Sequence, residues 1–473
     1  MSGCENEKSG RSLSRRTFLG SATAAAAFSV VPAHVMGGQG KTPPSEKLNI
    51  AAIGAGGRGR ADLNQLDTEN IVALCDIDER RAAGTAKKYK KAKIYKDFRR
   101  MLEQQKDDID AVLVATADHT HAVATMAAVQ EGKHVYTEKP LTHSVWEARK
   151  LREAVSTQKV ASQMGNNGHA GDSVRRIREL LQDGAIGNVR EVHCWTDRPF
   201  GWWPQGIGRP KQNPSTPSHV AWDLWLGPAP KRAYNPVYHP FSWRGWWDFG
   251  TGALGDIGCH SMDAPFFALD LYPVKSVEAT FTGVKGRGKN VTIQFGGQEF
   301  PAQADCTGPD AQTGPIASVV HYEFPQRGDM VPCTLTWWDG GMKPPRPPEL
   351  GDTPLGGGGN MYIGDKGVIL TGGYGGHPRI FPESRRRNYE EPPKTLPRVG
   401  ASHHQDWIRA CKGGQPACSN FDYAVPLTEV VLLGNVALRS GRKLNWDAEN
   451  MKVTNVGDAN RYVRDEYRKG WSL

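Results

Sequence analysis

The chain has 473 residues, which is enough for two hydrophobic cores, and its 38% hydrophobic and 23% charged residues are ordinary for a globular protein. A formal net charge of +9 would suit a nucleic-acid partner, but the basic residues are scattered apart from Arg385-Arg386-Arg387. No nucleic-acid-binding motif accompanies them. The composition therefore predicts two domains and no nucleic-acid partner.

We interpret residues 1–40 as a targeting signal and linker that lie outside the fold. Ser14-Arg15-Arg16-Thr17-Phe18-Leu19 resembles a twin-arginine export signal, and a weakly apolar, alanine-rich stretch, 20–31, follows it. This stretch is short for a membrane span, so we expect no transmembrane span in the mature protein, with an uncleaved anchor as the alternative. The sequence thus predicts a periplasmic protein exported through the twin-arginine signal.

The segment after the linker has the pattern of a dinucleotide-binding turn. An apolar run, 48–53, ends in Gly54-x-Gly56-x-x-Gly59, and a segment that can form a helix follows. Gly54 permits the turn from strand to helix, Gly56 lets the backbone approach a pyrophosphate, and Gly59 allows close packing of the helix on the strand. The positive end of the helix dipole favours the anionic pyrophosphate.

A second apolar run, 71–75, ends at Asp76, where a carboxylate can accept hydrogen bonds from the adenosine ribose. A carboxylate there repels a 2′-phosphate, so the sequence favours NAD. Arg80 and Arg81 lie nearby, and NADP stays open as an alternative. The cofactor contacts predicted in this region are Gly54, Gly56, Gly57, Arg58, Gly59 and Asp76.

From 46 to 165 strand patterns alternate with helix patterns, which predicts a nucleotide-binding domain with a doubly wound parallel sheet. Ligands of such sheets lie at the carboxyl ends of the strands. Segments 116–121 and 138–140 directly follow two predicted strands, so we expect them to meet the glycine turn in one crevice. The further cofactor contacts predicted there are Thr116, His119, His121, Glu138 and Lys139.

Residues 166–445 differ in character and predict an α+β domain for substrate binding and oligomerisation. Alternating runs predict the strands of a large open antiparallel sheet at 189–195, 276–283, 318–324 and 333–338. We interpret residues 446–473 as a C-terminal tail.

The proline-rich segment 198–248 holds seven of the fourteen tryptophans. Indole faces stack on the C–H surfaces of sugars, so this segment favours a carbohydrate substrate. Trp246 and Trp247 are the candidates for contact with it, because they are nearest the motif around Asp256. The alternative is that the tryptophans pack the segment onto the core or onto a dimer interface.

Two short motifs carry chemistry. Lys139, in Thr137-Glu-Lys-Pro140, closes a predicted strand at the mouth of the crevice, where its amine would lie near the nicotinamide and a substrate hydroxyl. Asp256 and His260 are four residues apart, so on a helix they share one face. Oxidation of an alcohol needs an acceptor for the hydroxyl proton, and histidine titrates in a suitable range. A zinc site is a weaker alternative because no third ligand accompanies the pair, and we predict no metal.

The glycine turn, Asp76, Glu138-Lys139-Pro140 and Asp256-x-x-x-His260 together resemble the Gfo/Idh/MocA family, which includes glucose–fructose oxidoreductase and inositol dehydrogenase. The resemblance implies a Rossmann domain and a catalytic set of Lys139, Asp256 and His260. By the same analogy we expect a homo-oligomer. The predicted substrate contacts are Asn166, Asn167, Trp246, Trp247 and Asp263.

Three functions fit these features. The first is oxidation of a sugar or cyclic polyol hydroxyl by a tightly bound NAD(P), since the periplasm holds no pool of free dinucleotide. The alternative is a redox-neutral glycoside hydrolase or lyase of the same fold, which oxidises the sugar transiently, eliminates the glycosidic group and returns the hydride. A non-catalytic sugar-binding protein is the third, and the set Lys139, Asp256 and His260 argues against it.

Overall fold

The computed structural model describes residues 46–283, 291–303 and 305–473, and residues 48–473 form one compact unit. The predicted export signal and linker, residues 1–40, lie outside the described residues.

Six parallel strands form the first sheet, and their order is β3-β2-β1-β4-β5-β6. The order reverses between β1 and β4, which is where doubly wound sheets open a crevice for ligands. The predicted doubly wound parallel sheet is therefore confirmed. The strands are β1 (Asn49–Ile53), β2 (Asn70–Cys75), β3 (Lys93–Tyr95), β4 (Ala111–Val114), β5 (His134–Thr137) and β6 (Ser162–Met164).

Helices connect these strands and begin at recognisable capping residues. Asp78 caps the second helix by accepting hydrogen bonds from the backbone N–H groups of Arg80 and Arg81. Ser144 and Glu147 form a capping box at the start of the fifth helix. The helices are α1 (Gly57–Leu63), α2 (Glu79–Lys88), α3 (Phe98–Gln105), α4 (Asp118–Gln130) and α5 (Val145–Gln158).

A nine-stranded sheet dominates the second half, in the order β15-β14-β13-β7-β12-β11-β8-β16-β17. Its pairs are antiparallel except β7 with β12, which run parallel, so the predicted antiparallel sheet is confirmed with one parallel pair. β9 and β10 form a separate two-stranded ribbon. The strands are β7 (Val189–Trp195), β8 (Ser276–Thr282), β9 (Thr292–Phe295), β10 (Gln298–Pro301), β11 (Ala317–Phe324), β12 (Cys333–Trp338), β13 (Gly359–Gly364), β14 (Gly367–Gly372), β15 (Arg379–Phe381), β16 (Leu444–Asp447) and β17 (Lys452–Val453).

The helices of this half are α6 (Asp172–Gln182), α7 (Trp222–Leu226), α8 (Gly252–Ser261), α9 (Asp263–Leu269), α10 (Glu383–Asn388), α11 (His403–Cys411) and α12 (Phe421–Ser440). By length and composition α12 alone among the described helices could cross a membrane, but 83% of its apolar window is buried. It packs between α5, α8 and β8, as the core helix of a globular protein does.

The tryptophan-rich segment 198–248 returns to the first sheet and docks on the loop after β2. Val220 forms a β-bridge with Asp78, and the N–H of Ala221 donates to the carbonyl of Ile77 at 2.8 Å. Trp471, close to the end of the sequence, also reaches this region. The fold thus places parts of the second half over the crevice of the first sheet.

Candidate active site

The glycine turn after β1 is as tight as the motif predicts. Gly54 has φ +88°, and a Cβ there would lie 2.4 Å from the carbonyl oxygen of Ala115. A Cβ on Gly59 would lie 1.9 Å from the carbonyl oxygen of Gly54. A side chain at Gly54 would strike the backbone after β4, and one at Gly59 would separate α1 from β1. The turn therefore leaves backbone open to a ligand, and it fits the pyrophosphate of a dinucleotide.

Asp76 lies at the end of β2 and fixes the shape of this turn. Its Oδ2 accepts hydrogen bonds from the N–H groups of Ala55 at 2.9 Å and Gly56 at 3.0 Å, and its Oδ1 accepts from that of Asp78 at 2.9 Å. Burial raises the pKa of Asp76. The carboxylate lines the groove beside the turn. Its predicted contact with a ribose stays a prediction.

A groove of about 340 Å³ runs along the glycine turn, and its far side comes from segment 198–248 and the C-terminus. A second cavity of about 230 Å³, which we name the substrate cavity, continues from it toward α8. The two share Arg58, Ala115, Thr116, Phe241, Trp243 and Arg244. They form one continuous cleft, with the glycine turn at one end and α8 at the other.

The structure brings Lys139, Asp256 and His260 together in the second cavity. Lys139 Nζ donates to Oδ1 of Asp256 at 2.9 Å and to its carbonyl oxygen at 2.5 Å. Asp256 and His260 lie four residues apart on α8, as the spacing predicts. An amine, a carboxylate and an imidazole therefore meet where the cofactor groove ends.

Three cations surround the carboxylate of Asp256. Besides Lys139, Arg198 Nη1 donates to Oδ2 at 3.0 Å and Arg244 Nε donates to Oδ1 at 3.1 Å. These cations hold the pKa of Asp256 well below its usual range although burial opposes them. The carboxylate is therefore ionised at any pH at which the protein works.

His260 is held neutral. Burial first, and then the charge of Lys139, lower the pKa of His260 well below its usual range. Its Nδ1 is buried and has no hydrogen-bond partner among the described residues. Its ring lies against Tyr374, with 4.6 Å between the ring centroids. A neutral imidazole has one nitrogen without a proton, and such a nitrogen can accept one.

The opposite wall carries Glu138, next to Lys139 in sequence. Arg58 Nε donates to Oε1 of Glu138 at 3.0 Å, and Arg58 Nη2 lies 2.8 Å from Oδ1 of Asp62. Burial raises the pKa of Glu138 and that of Asp62 each to about 7. His404 on α11 extends this network of polar contacts through a 3.0 Å hydrogen bond between its Nε2 and Asp62. Two buried carboxyl groups thus share one guanidinium.

Two models of one known protein family match consecutive stretches of this sequence. Residues 48–166 match the model of the GFO_IDH_MocA oxidoreductase family, NAD-binding Rossmann fold, and residues 170–280 match the model of its C-terminal alpha/beta domain. The chain belongs to the Gfo/Idh/MocA family. The predictions of the family, of the Rossmann domain and of NAD as cofactor are confirmed.

The relatives within the Gfo/Idh/MocA family are sugar and polyol enzymes by name. Inositol 2-dehydrogenase 2 of Saccharopolyspora erythraea is 31% identical over 31% of this chain and 44% of its own length. Levoglucosan dehydrogenase of Pseudarthrobacter phenanthrenivorans is 23% identical over 57% of this chain and 62% of its own. The chain thus spans less than half of the inositol dehydrogenase.

Solved structures share the fold across most of the chain. The WlbA dehydrogenase of Bordetella pertussis, in complex with NADH and UDP-GlcNAcA, is 15% identical with a TM-score of 0.56 over 85% of this chain and 99% of its own. Aldose-aldose oxidoreductase of Caulobacter crescentus, complexed with glycerol, is 19% identical with a TM-score of 0.52 over 85% and 100%. These likenesses show the Gfo/Idh/MocA fold alone.

Two predicted cofactor contacts do not reach the groove. The ring nitrogens of His119 lie 3.1 Å from the carbonyl of Phe249 and 2.9 Å from that of Trp225, and the neutral ring donates its one N–H to one of them. His121 bonds to the carbonyl of Pro140 at 2.8 Å. Both histidines are buried and hold the backbone of segments around the cleft, which corrects their interpretation. Thr116, Glu138 and Lys139 do line the cleft.

The predicted substrate contacts Asn166, Asn167 and Asp263 also lie away from the cavity. Asp263 is buried, and it accepts hydrogen bonds from Asn166 Nδ2 at 2.9 Å and from the Tyr423 hydroxyl at 2.7 Å. Asn167 Oδ1 accepts from the hydroxyl of Tyr136 at 2.9 Å. These side chains bond to other residues of the fold and line neither cavity, which corrects their assignment to the cleft.

Trp246 and Trp247 are buried as well, at 0% and 5% exposure. Trp246 belongs to an aromatic core with Tyr238 and Phe249, so the alternative that the segment packs onto the core is the one observed. Other aromatic rings of the same segment line the substrate cavity instead: Trp202, Phe241 and Trp243.

Sequence reasoning missed Arg198, Arg244 and Tyr374, which all line the substrate cavity. A signal existed for the arginines, because each lies within four residues of a tryptophan that it contacts: Arg198 Cζ lies 3.5 Å from the ring centroid of Trp202. Tyr374 gave no such signal, since it belongs to a glycine loop far along the chain.

Proposed function

We propose that the protein is an NAD-dependent oxidoreductase that oxidises a hydroxyl group of a sugar or cyclic polyol. The observation that carries this proposal is the meeting of Lys139, Asp256 and His260 in the cavity that continues the glycine-turn groove. The names of its relatives, inositol and levoglucosan dehydrogenases, support the same substrate class.

A bound NAD supplies the hydride acceptor. The residues of the chain handle the proton that leaves the hydroxyl oxygen: neutral His260 accepts it, and Lys139 donates a hydrogen bond to the oxygen as negative charge develops there. Asp256 holds the Lys139 ammonium group at 2.9 Å and so positions it. Because three cations keep Asp256 ionised, that positioning persists through the reaction.

We further propose that the cofactor is retained between turnovers. His239 and Trp225 of segment 198–248 line the groove opposite Asp76, and Trp471 closes it near Phe98, with 6.0 Å between the two rings. His239 Nε2 also bonds to Asp78 at 2.9 Å, which ties the segment to the loop after β2. A cofactor in this groove would leave only after the segment moved.

Retention suits the proposed export to the periplasm, which the twin-arginine-like residues 14–19 support. Arg15→Lys together with Arg16→Lys should leave the protein in the cytoplasm, whereas the unchanged chain should reach the periplasm. Fractionation of cells producing each form checks this. Export of both forms, or of neither, would contradict the proposal.

A retained cofactor also favours the redox-neutral glycoside hydrolase or lyase as a second candidate, because the hydride returns to the same sugar. Incubating the purified chain with free sugars and with aryl glycosides separates the two candidates. Reduction of NAD in proportion to sugar oxidised supports the oxidoreductase. Release of aglycone without net reduction of NAD supports the second candidate, and neither signal would leave only sugar binding.

We also propose a homo-oligomer formed through the outer face of the nine-stranded sheet. Glu278, His321 and Thr334 alternate with core residues on β8, β11 and β12, and they are exposed. Light scattering on the purified chain should give a multiple of 51.8 kDa. A monomeric mass would overturn this proposal.

A further inference from the structure

The substrate end of the cleft carries more positive charge than its proposed chemistry uses. Lys139, Arg198 and Arg244 all face the single carboxylate of Asp256. Buried Asp118, which accepts hydrogen bonds from Thr251, adds at most one negative charge to this end. The cavity therefore keeps a net positive charge of at least one.

The opposite wall does not change this balance. Arg58 is shared by Glu138 at 3.0 Å and Asp62 at 2.8 Å. Burial raises the pKa of each carboxyl group to about 7, so near neutral pH the two together carry about one negative charge, which the guanidinium balances. His260 adds no charge because it is neutral. Oxidation of a neutral sugar needs one hydrogen-bond donor at the hydroxyl and one proton acceptor, and Lys139 with His260 supply both. Beyond helping to keep Asp256 ionised, the two arginines have no role in that reaction.

Both guanidinium groups are held by aromatic rings. Arg198 Cζ lies 3.5 Å from the ring centroid of Trp202, and Arg244 Cζ lies 4.3 Å from that of Trp243 and 4.4 Å from that of Phe241. Their side chains are only 19% and 20% exposed. Stacking of this kind fixes the plane of a guanidinium group and lowers the entropy lost when it binds an anion.

Each guanidinium group also keeps donors for a ligand. A guanidinium has five N–H donors. Among the described residues, the side chain of Arg198 donates to Asp256 alone, and that of Arg244 donates to Asp256 and to the carbonyl of Phe241. Planar guanidinium groups with free N–H edges bind carboxylates and phosphates through paired hydrogen bonds.

We propose that the cleft accepts a sugar that carries an anionic group, a carboxylate or a phosphate, bound by Arg198 and Arg244. This inference rests on the proposed oxidation of a sugar in the same cleft. The hydroxyl to be oxidised lies at Lys139 and His260, and the anionic group lies toward the aromatic wall. The two arginines then determine which sugars are used.

The test compares matched sugars on the NAD-loaded, full-length protein: a hexose, the corresponding hexuronate and the corresponding hexose 6-phosphate. The half-saturation concentration, from the change in nicotinamide absorbance, should be about tenfold or more lower for at least one acidic sugar than for the neutral one. The hexuronate and phosphate arms identify which anion the site prefers.

Arg198→Gln should bring the acidic and neutral sugars to within about threefold of each other, because the charged donor is gone. Arg198→Lys should keep part of the preference, since it keeps the charge without the planar fork. Arg379→Gln is the matched control, because Arg379 also stacks on a ring, that of Phe381, but lies outside both cavities. It should leave the preference unchanged.

A wild-type preference for the neutral sugar would overturn the inference and leave the oxidoreductase standing. Arg198→Gln lowering the rate on acidic and neutral sugars alike would also overturn it, since the arginine would then only position Asp256. If no sugar reduces NAD, the proposed oxidation fails. Tryptophan fluorescence titrations with the same sugars then decide the inference, and equal affinity for acidic and neutral sugars would overturn it.

Discussion

The carboxyl groups on the two walls of the substrate cavity have pKa values shifted in opposite directions. On the wall of α8, one carboxylate, Asp256, meets three cations, which keep its pKa well below the usual range. On the wall of the Rossmann domain, Glu138 and Asp62 share Arg58, and burial raises the pKa of each to about 7. Burial is common to both walls, so the number of cations for each carboxyl group decides which one stays ionised.

Because their carboxyl groups differ in this way, the two walls have different roles. A carboxylate that stays ionised can hold the Lys139 ammonium group in place at any working pH. A carboxyl group that titrates near neutrality can change the charge next to the cofactor turn as the pH changes, since Arg58 and Glu138 both line the cleft. A substitution on one wall should therefore change a different property of the protein from a substitution on the other wall.

The largest effect is expected for Lys139→Ala on the ionised wall. Sugar oxidation should fall about 10³- to 10⁴-fold, because the donor at the reacting oxygen is lost. NAD binding, measured by gel filtration or fluorescence, should persist. Lys150→Ala is the control, since Lys150 is an exposed lysine paired with Glu153 on α5. Undiminished oxidation by Lys139→Ala would break the assignment of chemistry to this wall.

Trp246→Ala should reduce the free energy of unfolding by about 3 to 4 kcal/mol, because the indole is fully buried and its removal leaves a cavity. Trp202→Ala should cost less than about 1 kcal/mol, since Trp202 is 45% exposed. Trp202→Ala should instead weaken sugar binding. Urea unfolding and sugar titration of both variants check the pair, and equal losses of stability would contradict the separation of core from cleft.

The sequence anticipates the parts of the cleft that depend on local geometry. The glycine turn is set by contacts within a few residues, such as the close approach of Gly59 to Gly54. The pairing of Asp256 with His260 follows from helical spacing, and the position of Lys139 follows from the end of a parallel strand. Each could be predicted because one element alone determines it.

Other parts depend on how distant segments pack. Arg198 reaches Asp256 across 58 residues, so no spacing rule connects them. Trp246 and Trp202 belong to one tryptophan-rich segment, and composition does not tell which ring enters the core. His119 follows a carboxyl-end strand like Thr116 does, but the carbonyls that bind its ring come from segment 225–249.

The titrating wall is expected to alter stability with pH. The pKa of Glu138 is raised from 4.5 to about 7 in the folded protein. The unfolded chain therefore releases a proton that the folded protein keeps, so the stability from this group is present below pH 4.5 and is lost as the pH rises to about 7. Glu138→Gln should remove up to about 3 kcal/mol of this pH dependence.

Urea unfolding between about pH 4 and pH 8 measures this difference. Asp62 titrates in the same range, so part of the dependence should remain in Glu138→Gln. Glu153→Gln is the control, because Glu153 is exposed on α5 and pairs only with Lys150 among the described residues. A Glu138→Gln profile identical to that of the unchanged protein would mean that both walls are ionised, and the contrast between them would disappear.

The smallest effect is expected where segment 198–248 is tied to the Rossmann domain. His239→Phe removes the 2.9 Å hydrogen bond to Asp78 but keeps an aromatic ring beside Trp225. One hydrogen bond to a carboxylate contributes about 1.5 kcal/mol, so NAD should dissociate about tenfold faster while sugar oxidation with NAD in excess changes little. His377→Asn is the control, because His377 is exposed and lies outside both cavities, and Asn tolerates its positive φ. Unchanged retention of NAD in His239→Phe would mean that the segment stays over the cofactor without this bond. The aromatic packing of Trp225 and Phe249 alone would then hold it there.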